Sequence, residues 1–122
     1  MQLNLDNEKP IFLQFAEEIE EGILRGIFEE ESQIPSTTEV AVKFKINPAT
    51  ANRGVNLLVD EGIVYKKRGI GMFVAAGARE KITAKRKGAF YDNYIVPLIK
   101  ESNNLNLTKK DILDMVERGY DK

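Results

Sequence analysis

The side chains best placed for chemistry in this sequence are cations and amides, not nucleophiles. Lys66, Lys67 and Arg68 stand side by side, and Gly69 and Gly71 follow them around a single residue. Such a glycine pair permits positive φ and lets a backbone approach another surface closely. Three adjacent cations beside it favour the binding of phosphate groups.

A second polar group lies upstream, on one helical face of the stretch from Asn47 to Gly62. The opposite face is apolar at Ala51, Val55 and Leu58, so the spacing predicts a helix with one side on a core. Arg can bridge O6 and N7 of guanine, and Asn can bridge N6 and N7 of adenine. The short outward side chains therefore suit close approach to a groove. They are Ala49, Thr50, Arg53 and Asn56.

No catalytic or metal-binding constellation is present in the sequence. The absence of Cys and His removes thiol chemistry, the commonest general base and the commonest metal ligand. Glu29, Glu30 and Glu31 could ligate a hard cation, but we favour a solvated connector, which is far commoner for such runs. We therefore expect neither an enzyme nor a cofactor.

Two short helices and a hairpin must position the polar groups. Ser36 and Glu39 have the spacing of a capping box, and Asn47 precedes Pro48 as a cap precedes the first helical residue. After them Ile63 to Lys67 predicts a strand, and Met72 to Ala75 predicts its returning partner. The predicted fold is mainly α with a small β-hairpin (α+β).

The order helix, turn, helix and basic wing resembles the winged helix-turn-helix domain of GntR-type bacterial transcription regulators. The resemblance covers Pro10 to Val74 and includes Ile34-Pro35-Ser36 and Asp60-Glu61-Gly62-Ile63-Val64. Its strongest part is Arg68-Gly69-Ile70-Gly71-Met72-Phe73-Val74. The start of the second helix, Ile46-Asn47-Pro48-Ala49-Thr50, followed by a short tail, is similar to the YtrA subfamily.

This resemblance implies double-stranded DNA as the partner and a recognition helix, Pro48 to Glu61, in the major groove. Thr50, Asn52 and Arg53 would lie nearest the bases, with helix starts on phosphates and the wing on the backbone or minor groove. Thr38 and Pro48 stand where many relatives carry Arg, which bears on the bases that are read. The expected DNA-binding residues are Ser36, Thr37, Thr38, Asn47, Ala49, Thr50, Asn52, Arg53, Lys67, Arg68, Gly69 and Gly71.

The net charge of −1 conceals a strong segregation of charge. Residues 1–34 hold nine acids and two bases, a net −7, whereas residues 64–88 hold eight bases and one acid, a net +7. The potential near a phosphate backbone depends on the local patch. The same segregation could instead join two parts of one fold or two subunits, and the charges alone do not decide.

The N-terminal part is predicted to support the DNA-reading elements. An extended lead at residues 3–6 and a turn at residues 7–10 precede a helix from Ile11 to about Gly26. Phe12, Phe15 and Ile19 form its inner stripe. Its outer face is acidic and is expected to point away from DNA, because phosphates repel it. That face comprises Glu17, Glu18, Glu20 and Glu21.

The C-terminal part reads as a coupling region of two helices. We place the boundary in the small-residue bridge after the wing, giving a DNA-binding domain at residues 1–76 and a dimerisation or effector region at residues 77–122. The basic segment 79–87 either extends the phosphate-contacting surface or coats a helix start. Pro97 is expected to kink that helix, and Thr108 with Asp111 to cap the last one.

Two helices cannot form an independent core, so their apolar stripes need a partner. We favour a homodimer, since two-fold pairing is the commonest assembly and short DNA readers usually combine two half-sites. The alternative is that the tail folds back onto its own domain. Leu57, outward by the helical count, is either part of the contact or an isolated exposed residue. The expected interface residues are Phe90, Tyr94, Leu98, Ile112 and Val116.

Regulation is the least determined feature. The resemblance implies repression of a transporter operon that includes the regulator's own gene. An unidentified small-molecule effector at the dimer junction, or another kind of signal, is left open. No apolar run or leader suggests a membrane or export, so a cytoplasmic protein is expected. The alternative function is that of a winged-helix module that binds protein. The wing of such a module would not need three consecutive basic residues.

Overall fold

The computed structural model of the chain describes residues 9–122, so the lead expected at residues 3–6 lies outside the described residues. One compact unit ends at Ala84, and a second spans Lys85–Lys122. The elements are α1 (Ile11–Leu24), β1 (Gln33–Ile34), α2 (Thr37–Phe44), α3 (Pro48–Asp60), β2 (Val64–Lys67), β3 (Gly71–Val74), α4 (Ala78–Phe90), a π-helical turn (Tyr91–Ile95), α5 (Val96–Asn104) and α6 (Lys109–Tyr120). The predicted class, mainly α with a small β-sheet, is confirmed.

Helix α1 supplies one wall of the first core. Phe15, Ile19 and Ile23 are buried at the spacing that the sequence predicted. Of the predicted outer acidic face, Glu17, Glu18 and Glu21 are half-buried, and Glu20 is only 2% exposed, which corrects the prediction. Glu20 lies one helical turn from Ala16 and Ile23, which are both buried, so it belongs to the packed side of α1.

The two middle helices begin at the predicted caps. The Ser36 hydroxyl accepts a hydrogen bond from the Glu39 backbone N–H at 3.1 Å, and the Asn47 side-chain oxygen accepts one from Ala49 N–H at 2.8 Å. Lys45 ends α2 in the left-handed region, with φ of 54°. This residue makes the sharp turn between α2 and α3.

The wing is part of a three-stranded antiparallel sheet, not of an isolated hairpin. Its strand order is β1-β3-β2, with Ile34 opposite Met72 and Lys67 opposite Gly71. Sequence analysis missed β1, because two residues carry no readable alternation. The sheet closes the core with buried Ile34, Val64 and Val74.

The acidic connector between α1 and β1 is exposed, as predicted, but the carboxylates of Glu30 and Glu31 accept hydrogen bonds from other elements. Glu30 accepts hydrogen bonds from the backbone N–H groups of Gly77, at 2.9 Å, and Arg79, at 3.2 Å. Glu30 thus caps the start of α4, and these bonds lower the pKa of its carboxyl below the usual value. Within residues 9–122, no group of three acidic side chains is arranged to hold a metal.

The start of α4 also belongs to the first core. Ala78 and Ile82 are fully buried there, so the compact unit extends past the boundary that we placed at residue 76. The Lys81 ammonium donates to the Gly62 carbonyl at 3.2 Å, near the C-terminal end of α3. A cation at this end of a helix is favourable because of the helix dipole.

The second unit is helical throughout. The predicted interruption near Pro97 takes the form of the π-helical turn Tyr91–Ile95 directly before α5. The predicted capping box of α6 is confirmed, since Thr108 N–H donates to Asp111 at 2.9 Å and Asp111 N–H donates to the Thr108 hydroxyl at 3.1 Å. Across residues 9–122, none of the helices combines the length and apolar character needed to span a membrane.

Candidate nucleic-acid interface

Helix α3 presents the face that the sequence predicted. Ala51, Val55 and Leu58 are buried in the core. On the other side Asn52 and Asn56 are exposed, whereas Thr50, also predicted to face outward, is half-buried. The result is a polar surface with amide groups that can hydrogen bond to base edges.

Arg53 is exposed, but its side chain is not free in solvent. The guanidinium carbon lies 3.9 Å from the centroid of the Phe12 ring on α1, which is cation–π contact. Sequence analysis placed Phe12 in the core and Arg53 among the base-reading residues, and it did not connect the two. The contact joins the predicted DNA-facing side of α3 to the start of α1.

Gly54, beside Arg53, explains how the two helices come so close. A Cβ atom at this position would lie 2.8 Å from the Phe12 carbonyl oxygen and 2.8 Å from Phe15 Cδ2. A glycine inside a helix is otherwise unfavourable by about 1 kcal/mol relative to alanine. The sequence could have predicted this close packing, because a glycine within an otherwise regular helical pattern usually has a packing reason.

An open groove of about 550 Å³ runs between the start of α1 and the exposed face of α3. Leu57 lines this groove and also packs, half-buried, against the core. It is therefore not an isolated exposed side chain, and its part in a contact with a second chain stays a prediction. The groove is lined by Phe12, Leu13, Ala49, Asn52, Arg53, Asn56, Leu57 and Asp60.

The two helix starts are suited to anions through their backbone more than through their capping side chains. The hydroxyl of Ser36 and the amide oxygen of Asn47 are engaged in capping. Thr38 is exposed next to the α2 start, and Thr37 is half-buried. The first backbone N–H groups of a helix have no intrahelical acceptor, and they can donate to phosphate oxygens.

The tip of the wing is held in a defined conformation. Gly69 and Gly71 both have positive φ, of 77° and 148°. A Cβ on Gly71 would overlap the amide of Gln33, which donates to the Ile70 carbonyl at 3.1 Å. Arg68 is exposed at this tip. Gln33 on β1 is thus a wing-positioning residue that sequence analysis did not identify.

Lys67 is anchored on the aromatic side of the wing. Its ammonium lies 4.5 Å from the Phe73 ring centroid, and Phe73 stacks with Tyr65 at 5.8 Å. The Tyr65 hydroxyl donates to Glu31 at 3.1 Å, and desolvation followed by this bond raises the pKa of the phenol. One predicted DNA-binding cation therefore rests on a fixed aromatic platform.

The second unit carries a set of exposed apolar side chains. Phe90 and Tyr94 contact each other, with ring centroids 5.1 Å apart, and yet remain 53% and 64% exposed. Leu98 and Val116 are also exposed, whereas Ile112 is half-buried. Where exposed apolar side chains form a large contiguous patch, they mark interaction sites.

Comparison with known proteins agrees with this architecture. Residues 13–74 match the family model described as bacterial regulatory proteins, gntR family. The HTH-type transcriptional regulator YhcF of Bacillus subtilis is 30% identical over 117 residues, covering 96% of this chain and 95% of YhcF. The repressor YtrA of the same organism is 29% identical, covering 65% of this chain and 61% of YtrA.

Solved structures show the same fold. A GntR-family regulator from Bacteroides thetaiotaomicron has 36% identity and a TM-score of 0.72, covering 91% of this chain and 96% of that protein. AraR(DBD) in complex with operator ORX1 has 28% identity and a TM-score of 0.55, covering 62% of this chain and 93% of AraR(DBD). The predicted resemblance is thereby confirmed, and the chain belongs to the GntR family of helix-turn-helix transcriptional regulators.

Proposed function

We propose that this chain is a homodimeric repressor that binds a two-fold DNA operator. The observation that carries the proposal is the exposed polar face of α3 in the same compact unit as a cationic wing tip, in a chain whose family regulates transcription. The structure of AraR(DBD) on its operator supports the DNA-binding role of this domain type.

In the proposed complex α3 lies in the major groove. Asn52 and Thr50 face base edges, and Arg53 reaches a guanine from the edge of the helix nearest α1. The starts of α2 and α3 donate backbone N–H groups to phosphates, and the threonine hydroxyl of Thr38 adds a further donor. Arg68 and Lys67 follow the neighbouring backbone or minor groove, with Gly69 and Gly71 permitting close approach.

The homodimer is proposed from the exposed apolar side chains of the second unit. A second copy would remove Phe90, Tyr94 and Leu98 from water, which is the main driving force for association. In this proposal the domain of residues 1–76, with the start of α4 packed in its core, reads DNA, and the helices from Lys85 onward pair two chains. A cytoplasmic location is part of the proposal, and the resemblance adds control of a transporter operon that includes the regulator's own gene. The signal is either a small molecule at the dimer junction or of another kind.

A binding titration tests the proposal. Purified protein is titrated against a random-sequence duplex at two salt concentrations, and then against duplexes selected from a random pool. We expect log K to fall steeply with log salt, because bound cations release counterions from phosphates. We also expect selected sites to contain two half-sites about one helical turn, or a multiple, apart. A folded, paired protein that shifts no duplex would contradict the proposal.

A further inference from the structure

We infer that Phe12 is a positioning residue for DNA recognition, because its ring holds the Arg53 guanidinium and so directs the hydrogen bonds that Arg53 donates. This inference rests on the proposed function, since it assigns a task to the DNA-facing side of α3. It adds a residue from α1, a helix that the base-reading assignment does not include.

The contact itself is short and well placed. The guanidinium carbon lies 3.9 Å from the ring centroid, which is stacking distance. A guanidinium stacked on a ring loses none of its N–H donors, because they point outward in its own plane. Phe12 therefore occupies one face of the cation and leaves its edge available for a guanine or a phosphate.

The surroundings of the ring make this position hard to change. Gly54 brings the α1 backbone against α3, with its missing Cβ only 2.8 Å from the Phe12 carbonyl oxygen. Phe15, one turn further along α1, is fully buried and fixes that helix in the core. The ring of Phe12 is thus held beside α3 by two neighbouring contacts that do not involve Arg53.

Restricting Arg53 before binding has an energetic consequence. A free Arg side chain loses considerable rotamer entropy when it is fixed on a base, and an already restricted one loses less. The gain applies only to sequences that offer an acceptor where the guanidinium points. Phe12 should therefore influence discrimination between DNA sequences more than general affinity for duplex.

The experiment uses the full chain and two DNA probes. One probe is a duplex selected from a random pool by the wild-type protein, and the other is a random-sequence duplex of equal length. Phe12→Leu removes the ring while keeping an apolar side chain, and Phe12→Tyr keeps the ring. On the selected duplex we expect Phe12→Leu to bind about threefold to tenfold more weakly, and Phe12→Tyr to match the wild type. On random duplex both variants should match the wild type.

Coupling between the two residues provides the decisive measurement. In an Arg53→Ala background, Phe12→Leu should cause no additional loss on the selected duplex. An equal loss with and without Arg53, or no loss at all, would overturn the inference. Thermal unfolding monitors whether Phe12→Leu folds. If it does not, Phe12→Met replaces it, since Met keeps an apolar side chain but has no ring, and the same threefold to tenfold loss is expected.

The inference and the proposed function fail in different ways. If the wild-type protein shows no preference for any selected duplex, the proposed function is wrong and the role of Phe12 falls with it. If the wild type discriminates and Phe12→Leu discriminates equally well, only the role of Phe12 is wrong. The second result would mean that the stack merely joins α1 to α3.

Discussion

The Gln33 side-chain amide donates a 3.1 Å hydrogen bond to the backbone carbonyl of Ile70, which joins the short strand β1 to the tip of the wing. The absence of a Cβ on Gly71 leaves room for that amide. The position of the wing is therefore determined by a residue that precedes α2, far from the hairpin in sequence.

Replacing Gln33 by Ala should loosen the wing without unfolding the core. A hydrogen bond of this type contributes about 0.5–1.5 kcal/mol, so local opening should become about threefold to tenfold more frequent. The frequency of this opening is measured by hydrogen exchange of the Ile70 amide, which donates to the Lys67 carbonyl. Gln14→Ala is the control, because the Gln14 amide donates to Lys9 instead. An unchanged exchange rate at Ile70 would show that the turn is stable without the hydrogen bond from Gln33.

Replacing Arg68 by Ala tests whether the wing contacts phosphate. Arg68 is exposed at the tip, and removing one phosphate contact should make the slope of log K against log salt shallower by about one. The loss should be similar for selected and random duplexes. Arg25→Ala removes the same charge from the acidic part of the chain and should leave the slope unchanged. A sequence-dependent loss would instead place Arg68 on a base.

Replacing Gly54 by Ala should destabilise the first unit. The new methyl group would meet the Phe12 carbonyl oxygen and the Phe15 ring at 2.8 Å, and such overpacking costs about 1–3 kcal/mol. This outweighs the gain of about 1 kcal/mol that alanine brings to a helix. Denaturant unfolding measures the difference in the free energy of unfolding between the variant and the wild type. Gly88→Ala is the matched control, since none of the described residues packs within 4 Å of the position that its methyl group would take, and it should be neutral or stabilising.

Acid should weaken the Glu30 cap of α4. The folded protein holds the pKa of Glu30 below its ordinary value, through the Gly77 N–H first and then the Arg79 N–H. Ionised Glu30 therefore stabilises the folded state fully above the ordinary carboxyl pKa, about 4.3. This stabilisation is lost as the pH falls through the lower pKa that Glu30 has in the folded protein. The melting temperature of the wild type should exceed that of Glu30→Gln at about pH 7, and the two should converge towards about pH 3. Glu29→Gln should follow the wild type at every pH.

Introducing a charge into the apolar surface of the second unit should prevent pairing. Leu98→Asp would bury a carboxylate in the proposed interface, which is strongly unfavourable without a partner. We expect sedimentation to show a monomer where the wild type is a dimer. Ile27→Asp changes an equally apolar side chain, 65% exposed in the first unit, and should leave the dimer intact. A wild-type monomer at all concentrations would refute the homodimer itself.

Much of the fold could be predicted because its signals are local. Ser36 and Asn47 announce helix starts within three residues, and Thr108 with Asp111 does the same for α6. The exceptions have tertiary causes. Strand β1 pairs only with β3 among the described strands, and such pairing between distant segments leaves no periodic trace in the sequence. Glu20 is buried at helical spacing from Ala16 and Ile23, but its charge favoured the opposite prediction.

The sequence predicted which types of residue form the candidate interface, but not the contacts that join them. The exposed positions of Asn52 and Arg68 follow from helical and hairpin spacing. The contacts that fix the surface, Phe12 with Arg53 and Gln33 with Ile70, join distant positions and could not be read from spacing. Residue types thus indicate what a surface can bind, whereas its rigidity depends on packing between elements.

The two-residue length of β1 also protects the protein from aggregation. Open strand edges invite pairing with other chains, and natural proteins counter this with very short or charged edge strands. Here β1 forms one edge and is too brief to serve as a template, while β2 forms the other and carries Lys66 and Lys67. The two edges of the sheet can therefore stay exposed without recruiting further copies into fibrous assemblies.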